Sequence, residues 1–518
     1  MSDALSEAIP VLLVAAPILA ATLPLVFGLR FDRAGWLFTT LTTSSLFVAT
    51  VVLATVVYSE GTVIHQLGGY PRAYGIELVA DRLSTTIALL VTGTSAGVLA
   101  YTRLGGPRGN TFYSGYLLLV GGLLGLTFTG DVFNMFVFLE ITGLATYALI
   151  ASGDGPESAV AGLKYLIVGT VGASLYLLGV GLLFMATGTL NMIELAEAIP
   201  QAQGGYENTL VRAAFAFVFV GFAIKVAQWP VHAWQPDAYQ HAPDGVTPLV
   251  AALVSTVSAY ALARVMYTVF TVDFLTQTPY AREIVITVGA VSVVAGSTLA
   301  VIQRDVKRML AYSSVSQFGL VVAAYGLVTE TALVGAVIHL VGHGIMKAGL
   351  FIAAGVIALG YGARTVDEYA GLAARRPVVA GGMAVLLIAL IGIPPSVGFV
   401  GKWYIALGAV QAEVWSVAAV IFLSTMLTLA YSARLLEKMY FTPANWLEDP
   451  HAPDADVVAT DGGSGPGLTR QSDRARPDAV SIGMLSIVVV AAVLAVALGF
   501  SGDLFYDWLE PFVSEVFN

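Results

Sequence analysis

Runs of about 20 apolar residues, separated by short polar turns, recur along nearly the whole chain, and each is long enough to cross a bilayer as a helix. The pattern predicts an all-α polytopic membrane protein. It places about 14 transmembrane helices near residues 8–29, 35–58, 82–101, 112–129, 131–151, 161–187, 210–239, 246–269, 281–302, 307–327, 331–359, 377–410, 415–437 and 480–500. Broken helices are expected near 230 and 394. The first break is Trp229-Pro230 and the second is Gly392-Ile-Pro-Pro395, where proline removes a backbone donor and clashes with the preceding turn. Irregular backbone survives at membrane depth only inside protein or along a wet cavity, so both breaks are expected to mark an internal polar path.

Basic residues then orient the spans. Fifteen Lys and Arg, among them Arg30, Arg103, Arg304, Lys307, Arg308, Arg375 and Arg376, fall on one set of alternate loops. Only Arg72, Arg82, Arg212 and Arg282 fall on the other. The positive-inside rule puts the first set in the cytoplasm, which leaves both termini outside and requires an even number of spans. With no basic region ahead of it, the first apolar run is expected to be a retained span rather than a cleaved signal.

In that orientation Gly221-Phe-x-x-Lys225 and Gly398-Phe-x-x-Lys402 lie on broken helices that run in opposite directions, the mark of inverted repeats. The expected organisation is helices 1–3 in residues 1–111, two five-helix repeats in 112–269 and 281–437, a cytoplasmic loop at 441–478, and a last span with an outer tail at 480–518.

Composition narrows the chemistry. The chain is 57% hydrophobic and 11% charged, has no cysteine, and has only six histidines. Thiolate metal sites and Cys-ligated iron–sulfur clusters are excluded, and little remains for haem. The chain is expected to carry no cofactor and no metal. Its net charge of −10 is read as solubility of the loops, with no nucleic-acid partner.

The exceptions to apolarity are therefore the candidate site. A charge at mid-bilayer costs about 3 kcal/mol or more, so it needs a partner or a task. Glu140, Lys225, Lys347 and Lys402 fall within spans, and lysine, unlike arginine, can lose its proton when buried. Glu140 and Lys225 are both near mid-span and form either a switchable ion pair or a static buried salt bridge. His339, His343 and Lys347 lie at i, i+4 and i+8, one helix face, and read as a lateral proton row or as core-packing histidines. The histidine pair lacks the nearby carboxylates or thiols of a metal site.

Lys402 has no carboxylate in its own helix and reads as a terminal proton donor or acceptor, or as a lysine that snorkels to the surface. His232 and Asp237 belong to a polar segment, 232–244, that serves proton uptake or caps a loop. Lys164 either polarises the Glu140–Lys225 pair or snorkels. Asp81 with Arg82 reads as a helix cap.

These residues resemble the antiporter-like family shared by Mrp-type sodium/proton antiporters, complex I proton-pumping subunits and membrane-bound hydrogenases, over at least residues 75–440. The motifs that carry the likeness are Phe136-Val-Phe-Leu-Glu140, Lys225 through Trp234-Gln-Pro-Asp237, Asp305-Val-Lys-Arg-Met-Leu-Ala-Tyr-Ser-Ser314, His339-x-x-x-His343-x-x-x-Lys347, and Gly392-Ile-Pro-Pro-x-x-Gly-Phe-x-Gly-Lys402. The resemblance implies a proton-pumping pair at Glu140 and Lys225, a hydrated relay at His339, His343 and Lys347, and an exit at Lys402. Lysine at 402 looks closest to the D-type member of the Mrp antiporters. The chain would then sit in the cell membrane with other membrane subunits and exchange protons for sodium or another monovalent cation.

The alternatives are a proton-pumping subunit of a complex I-like NADH dehydrogenase or hydrogenase, and a non-transporting scaffold or carbon-uptake subunit. The last rests on one departure. Thr256 stands where members of the family often carry a lysine, and a hydroxyl can hold water but no charge.

Because the chain has no cysteine, each introduced thiol is unique. A cysteine replacing Arg375 is expected to react with an impermeant maleimide only from the cytoplasmic side, and one replacing Arg282 only from outside. Labelling of both from one side would refute the topology.

Overall fold

The computed structural model describes residues 3–443 and 480–517, apart from positions 32, 33, 73, 108 and 154. Most of the expected 441–478 loop lies outside the described residues, as do Arg33, Arg108, Arg470, Arg474 and Arg476.

The chain runs through α1 (Asp3–Ala20), α2 (Thr22–Gly28) and α3 (Ala34–Glu60) into a hairpin of β1 (Val63–Gln66) and β2 (Glu77–Ala80). Next come α4 (Arg82–Gly105), α5 (Asn110–Phe128), α6 (Val132–Ala151), α7 (Pro156–Thr187), α8 (Met192–Gln201), α9 (Thr209–Lys225) and α10 (Trp234–His241). Helix α11 (Thr247–Gln277) contains two π-helical stretches, Val250–Val254 and Met266–Phe270. It is followed by α12 (Ala281–Ile302), α13 (Val306–Leu327), α14 (Glu330–Tyr361), α15 (Pro377–Ile391), α16 (Val397–Gln411), α17 (Trp415–Phe441), α18 (Ile482–Ala497) and α19 (Gly502–Phe517).

Twelve continuous helices among the described residues are long and apolar enough to span a bilayer, the first combining α1 and α2. The segments expected as single spans at 210–239 and 377–410 are each divided, into α9 and α10 and into α15 and α16. Two elements depart from the expectation of helices and loops. The hairpin, with Val63 opposite Ala80, has strands of four residues, too short to leave a periodic signal. The expected outer tail is a helix, α19, whose apolar residues Leu509, Phe512 and Val513 are buried against the bundle.

Burial sorts the helices into layers. The spanning windows of α11, α13 and α14 are 94% buried or more, whereas those of α3 and α17 are 33% buried. Helices buried all round have no lipid face, so polar residues on them are met by protein or water. Neighbouring helices pack in sequence along two stretches of the chain: α5 on α6, α6 on α7 and α7 on α9; then α12 on α13, α13 on α14 and α14 on α16. Close approach requires glycine where α12 crosses α13: a β-carbon on Gly319 of α13 would lie 2.7 Å from the Gly289 carbonyl oxygen of α12.

Ion pairs fasten the ends. Asp81 caps α4 through the Ser84 amide and receives the Arg264 guanidinium in a two-pronged contact of 2.6 and 2.8 Å, which ties α4 to α11. At the other end Lys307 and Arg308, adjacent on the first turn of α13, reach Asp244 and Asp237 at 2.9 and 2.8 Å. Arg364 also contacts Asp244, at 3.4 Å.

Burial alone would raise the Asp244 carboxyl, but Lys307 and Arg364 outweigh it and hold it below the ordinary value of 3.8. A depressed carboxyl contributes stability above its unfolded pKa and loses it as pH falls through the folded one. Asp244→Asn is therefore expected to cost about 3 kcal/mol at neutral pH, as when one partner of a buried pair is removed. The difference from wild type should shrink below pH 3.8, as thermal unfolding at a series of pH values would register.

Candidate functional site

Lys225 is the last residue of α9 and is buried. The backbone turns away after it because Pro230 cannot continue the helix, and the Trp234 indole donates to the Ile224 carbonyl at 2.8 Å, closing the helix end. The ammonium thus sits where the helix dipole is negative. Glu140 of α6 is half-buried. It shares with Lys225 a cavity of about 10 Å3, near the lower limit for one water, lined also by Gly143, Tyr165, Gly169 and Thr170. No ion pair within 4.0 Å joins Glu140 and Lys225 among the described residues. They face one cavity without locking.

Lys402 meets the same kind of helix end from the other side of its break. It projects from α16 and donates to the Leu390 and Ile391 carbonyls at 3.3 and 2.9 Å, the last turn of α15. With 6% exposure it does not snorkel. The shared Gly-Phe-x-x-Lys sequence therefore precedes the first break and follows the second, yet each lysine comes to the carboxyl end of the half-helix before its break. The motif glycines serve packing: a β-carbon on Gly221 would lie 2.7 Å from the Gly172 carbonyl of α7, and one on Gly398 would overlap the Ala389 carbonyl of α15.

At the breaks themselves Trp229, Pro230, Ile393, Pro394 and Pro395 are exposed on the surface of this chain. Few backbone donors are left open there, because the prolines have no N–H, the Trp229 amide donates to Ser292 Oγ at 3.1 Å, and the Ile393 amide donates to the Ile388 carbonyl at 3.3 Å.

His339, His343 and Lys347 do share one face of α14, and that face lies on α13. His339 Nε2 is 2.8 Å from Gln317 Oε1. Lys347 donates to the Leu310 carbonyl at 2.7 Å and to Ser313 Oγ. His343 has the Phe318 ring edge-on at 4.6 Å and no hydrogen-bond partner for either ring nitrogen among the described residues. All three residues are essentially inaccessible. His339 and Lys347 bond to α13 and, among the described residues, no member of the row bonds to another, so a proton passing along it needs water between them.

Of the peripheral candidates, Asp237 binds Lys164 at 2.5 Å and Arg308 at 2.8 Å, which fixes α10 between α7 and α13. Lys164 is thereby held to Asp237. His232 is half-buried, with its ring 5.9 Å from that of Tyr312. Thr256 of α11 is fully buried, and its hydroxyl has no hydrogen-bond partner among the described residues.

Sequence reasoning missed the Arg264–Asp81 pair, the carbonyl seat of Lys402, and the buried amides Gln228 and Gln235. Uncharged polar residues inside the broken span were the available signal for those amides.

The fold and motifs have close parallels. Residues 129–428 match the family described as NADH:quinone oxidoreductase/Mrp antiporter, TM. The N-type subunit of NADH-quinone oxidoreductase from Desulforudis audaxviator is 41% identical over 381 residues, covering 73% of this chain and 75% of that protein. The D-type subunit of the Na(+)/H(+) antiporter from Bacillus subtilis is 30% identical over 440 residues, covering 84% and 87%. Among solved structures, a chain of the Mrp complex from Dietzia sp. DQ12-45-1b superposes with a TM-score of 0.87 at 25% identity, covering 100% of this chain and 98% of that one. The chain is thus a multi-pass membrane protein that belongs to the NADH:quinone oxidoreductase/Mrp antiporter family.

Proposed function

We propose that this chain is the proton-translocating subunit of a multisubunit monovalent cation (Na+)/proton antiporter in the cell membrane, with both termini outside and two inverted five-helix repeats at 112–269 and 281–437. The observation that carries the mechanism is Lys225, buried at a helix end and facing Glu140 across a small cavity with no direct ion pair.

Approach of the carboxylate favours the ammonium, and withdrawal favours the neutral amine, so a small change in their separation moves a proton on or off Lys225. The released proton travels through His339, His343 and Lys347 on α14 toward Lys402. The seat of Lys402 on the Leu390 and Ile391 carbonyls holds its ammonium until it is deprotonated. Asp237, with Lys164 and Arg308, fixes the cytoplasmic end of the break near His232, where protons enter.

A second reading, a redox-driven proton-pumping subunit, is favoured by the 41% identity to a protein named as a subunit of NADH-quinone oxidoreductase. In that case flavin or iron–sulfur subunits would copurify with the chain.

Lys225→Ala and Glu140→Ala are each expected to abolish cation-dependent proton exchange in vesicles that contain the whole complex, with assembly intact. Undiminished exchange in either variant would refute the mechanism. Lys347→Ala is expected to slow exchange by about a hundredfold, the scale on which positioned acid–base groups act. A rate equal to wild type would remove Lys347 from the path.

A further inference from the structure

The Lys225 cavity and the histidine row lie on different helices, and α11, which carries Thr256, packs on both α9 and α14. We infer that Tyr239 and Ser255, held by Gln235, form a neutral hydroxyl link that carries the proton from the Lys225 cavity toward His343. The inference deepens the proposed function and rests on it.

Contiguity begins at the cavity wall. Tyr165 lines the cavity, and its ring lies 5.0 Å from that of Trp234, whose indole is bonded to the turn that bears Lys225. The next residue, Gln235, is fully buried. Its amide nitrogen donates to Tyr239 Oη at 3.0 Å and to Ser255 Oγ at 3.1 Å, which leaves the two hydroxyl oxygens 3.5 Å apart. Tyr239 belongs to α10 and Ser255 to α11, so the link crosses from the broken span to the central helix. Ser255 adjoins Thr256, and α11 packs on α14, where a β-carbon on Gly344 would lie 3.1 Å from the Ala252 carbonyl. Gly344 is next to His343.

The groups that flank the link point the same way. Gln228 in the break, Gln235 Oε1, Thr256 and His343 are all at least 99% buried, and none of these polar atoms finds a protein partner among the described residues. Four such groups are costly in a dry core, whereas each can anchor water in a hydrated one. An apolar packing role explains none of them.

The chemistry follows from what a hydroxyl can do. It donates and accepts at once, whereas the Gln235 amide nitrogen only donates. Gln235 is therefore a positioning residue that aligns two carriers. A proton delivered to the Tyr239 oxygen lets that oxygen release its own proton to Ser255 Oγ, and the Ser255 proton leaves toward Thr256. Each O–H bond broken is matched by one formed, and no charge stays on the link. The crossing therefore has no charged resting state at position 256.

The test uses the whole complex in proteoliposomes and compares wild type, Tyr239→Phe, Ser255→Ala and the double variant. Phenylalanine keeps the ring that packs edge-on against Phe351 at 5.7 Å and removes only the hydroxyl. Each single variant is expected to slow cation-driven proton exchange by about tenfold, with the cation KM unchanged. The double variant should be no slower than the slower single one, because both break one link. The solvent deuterium isotope effect on turnover should rise in each variant as the crossing becomes rate-limiting, a change that a merely loosened fold would not produce. A wild-type rate in either single variant, or an unchanged isotope effect in slowed ones, would overturn the inference. If Lys225→Ala abolishes exchange while Tyr239→Phe leaves it intact, the link alone fails; if Lys225→Ala leaves exchange intact, the proposed function fails first.

Discussion

An ammonium group inside a membrane protein must be met by negative charge or dipole, and most of this structure is arranged around how three lysines are met. None of Lys225, Lys347 and Lys402 is held by a carboxylate within 4.0 Å among the described residues. Lys347 and Lys402 bond to backbone carbonyls, and Lys225 ends a helix beside a cavity it shares with a carboxylate. Carbonyls and helix ends stabilise a cation less than a buried carboxylate does. Under the proposed mechanism that moderation is useful, because a lysine locked to a carboxylate keeps its proton. Ion pairs such as Arg264 with Asp81, and Lys307 and Arg308 with Asp244 and Asp237, tie one helix to the end of another and hold the frame.

The broken helices follow from the same requirement. The carbonyls of a continuous α-helix are already engaged along its length, whereas ending α9 and α15 inside the bundle frees those of their last turns and creates negative helix ends there. The cost is irregular backbone that reaches the surface, and proline limits it by leaving no donor to satisfy. The two breaks thus supply one electrostatic device through different sequence orders, the lysine before the break in one and after it in the other.

The polytopic helical fold and the break positions were legible in the chain because their signals are local. Apolar length marks a crossing, proline marks a break, and a lone charge in an apolar run marks a residue that the fold must accommodate. The α14 row was legible for the same reason, since a period of four residues places His339, His343 and Lys347 on one face. What could not be read was partnership across helices. Nothing near Arg264 in sequence identifies Asp81, 183 positions away, and nothing near Lys347 identifies Ser313. The hairpin was too short to show its period, and the Gln235–Tyr239–Ser255 contact joins two helices whose packing only the fold defines.

The account turns on whether Lys225 exchanges its proton, and only six lysines in the chain compete for the signal. Solid-state NMR of the complex with 15Nζ-labelled lysine, recorded over a range of pH, would separate ammonium from neutral amine. The account predicts a neutral-amine resonance that appears as pH rises through the working range and is absent from Lys225→Arg. Six ammonium resonances at every pH would contradict it.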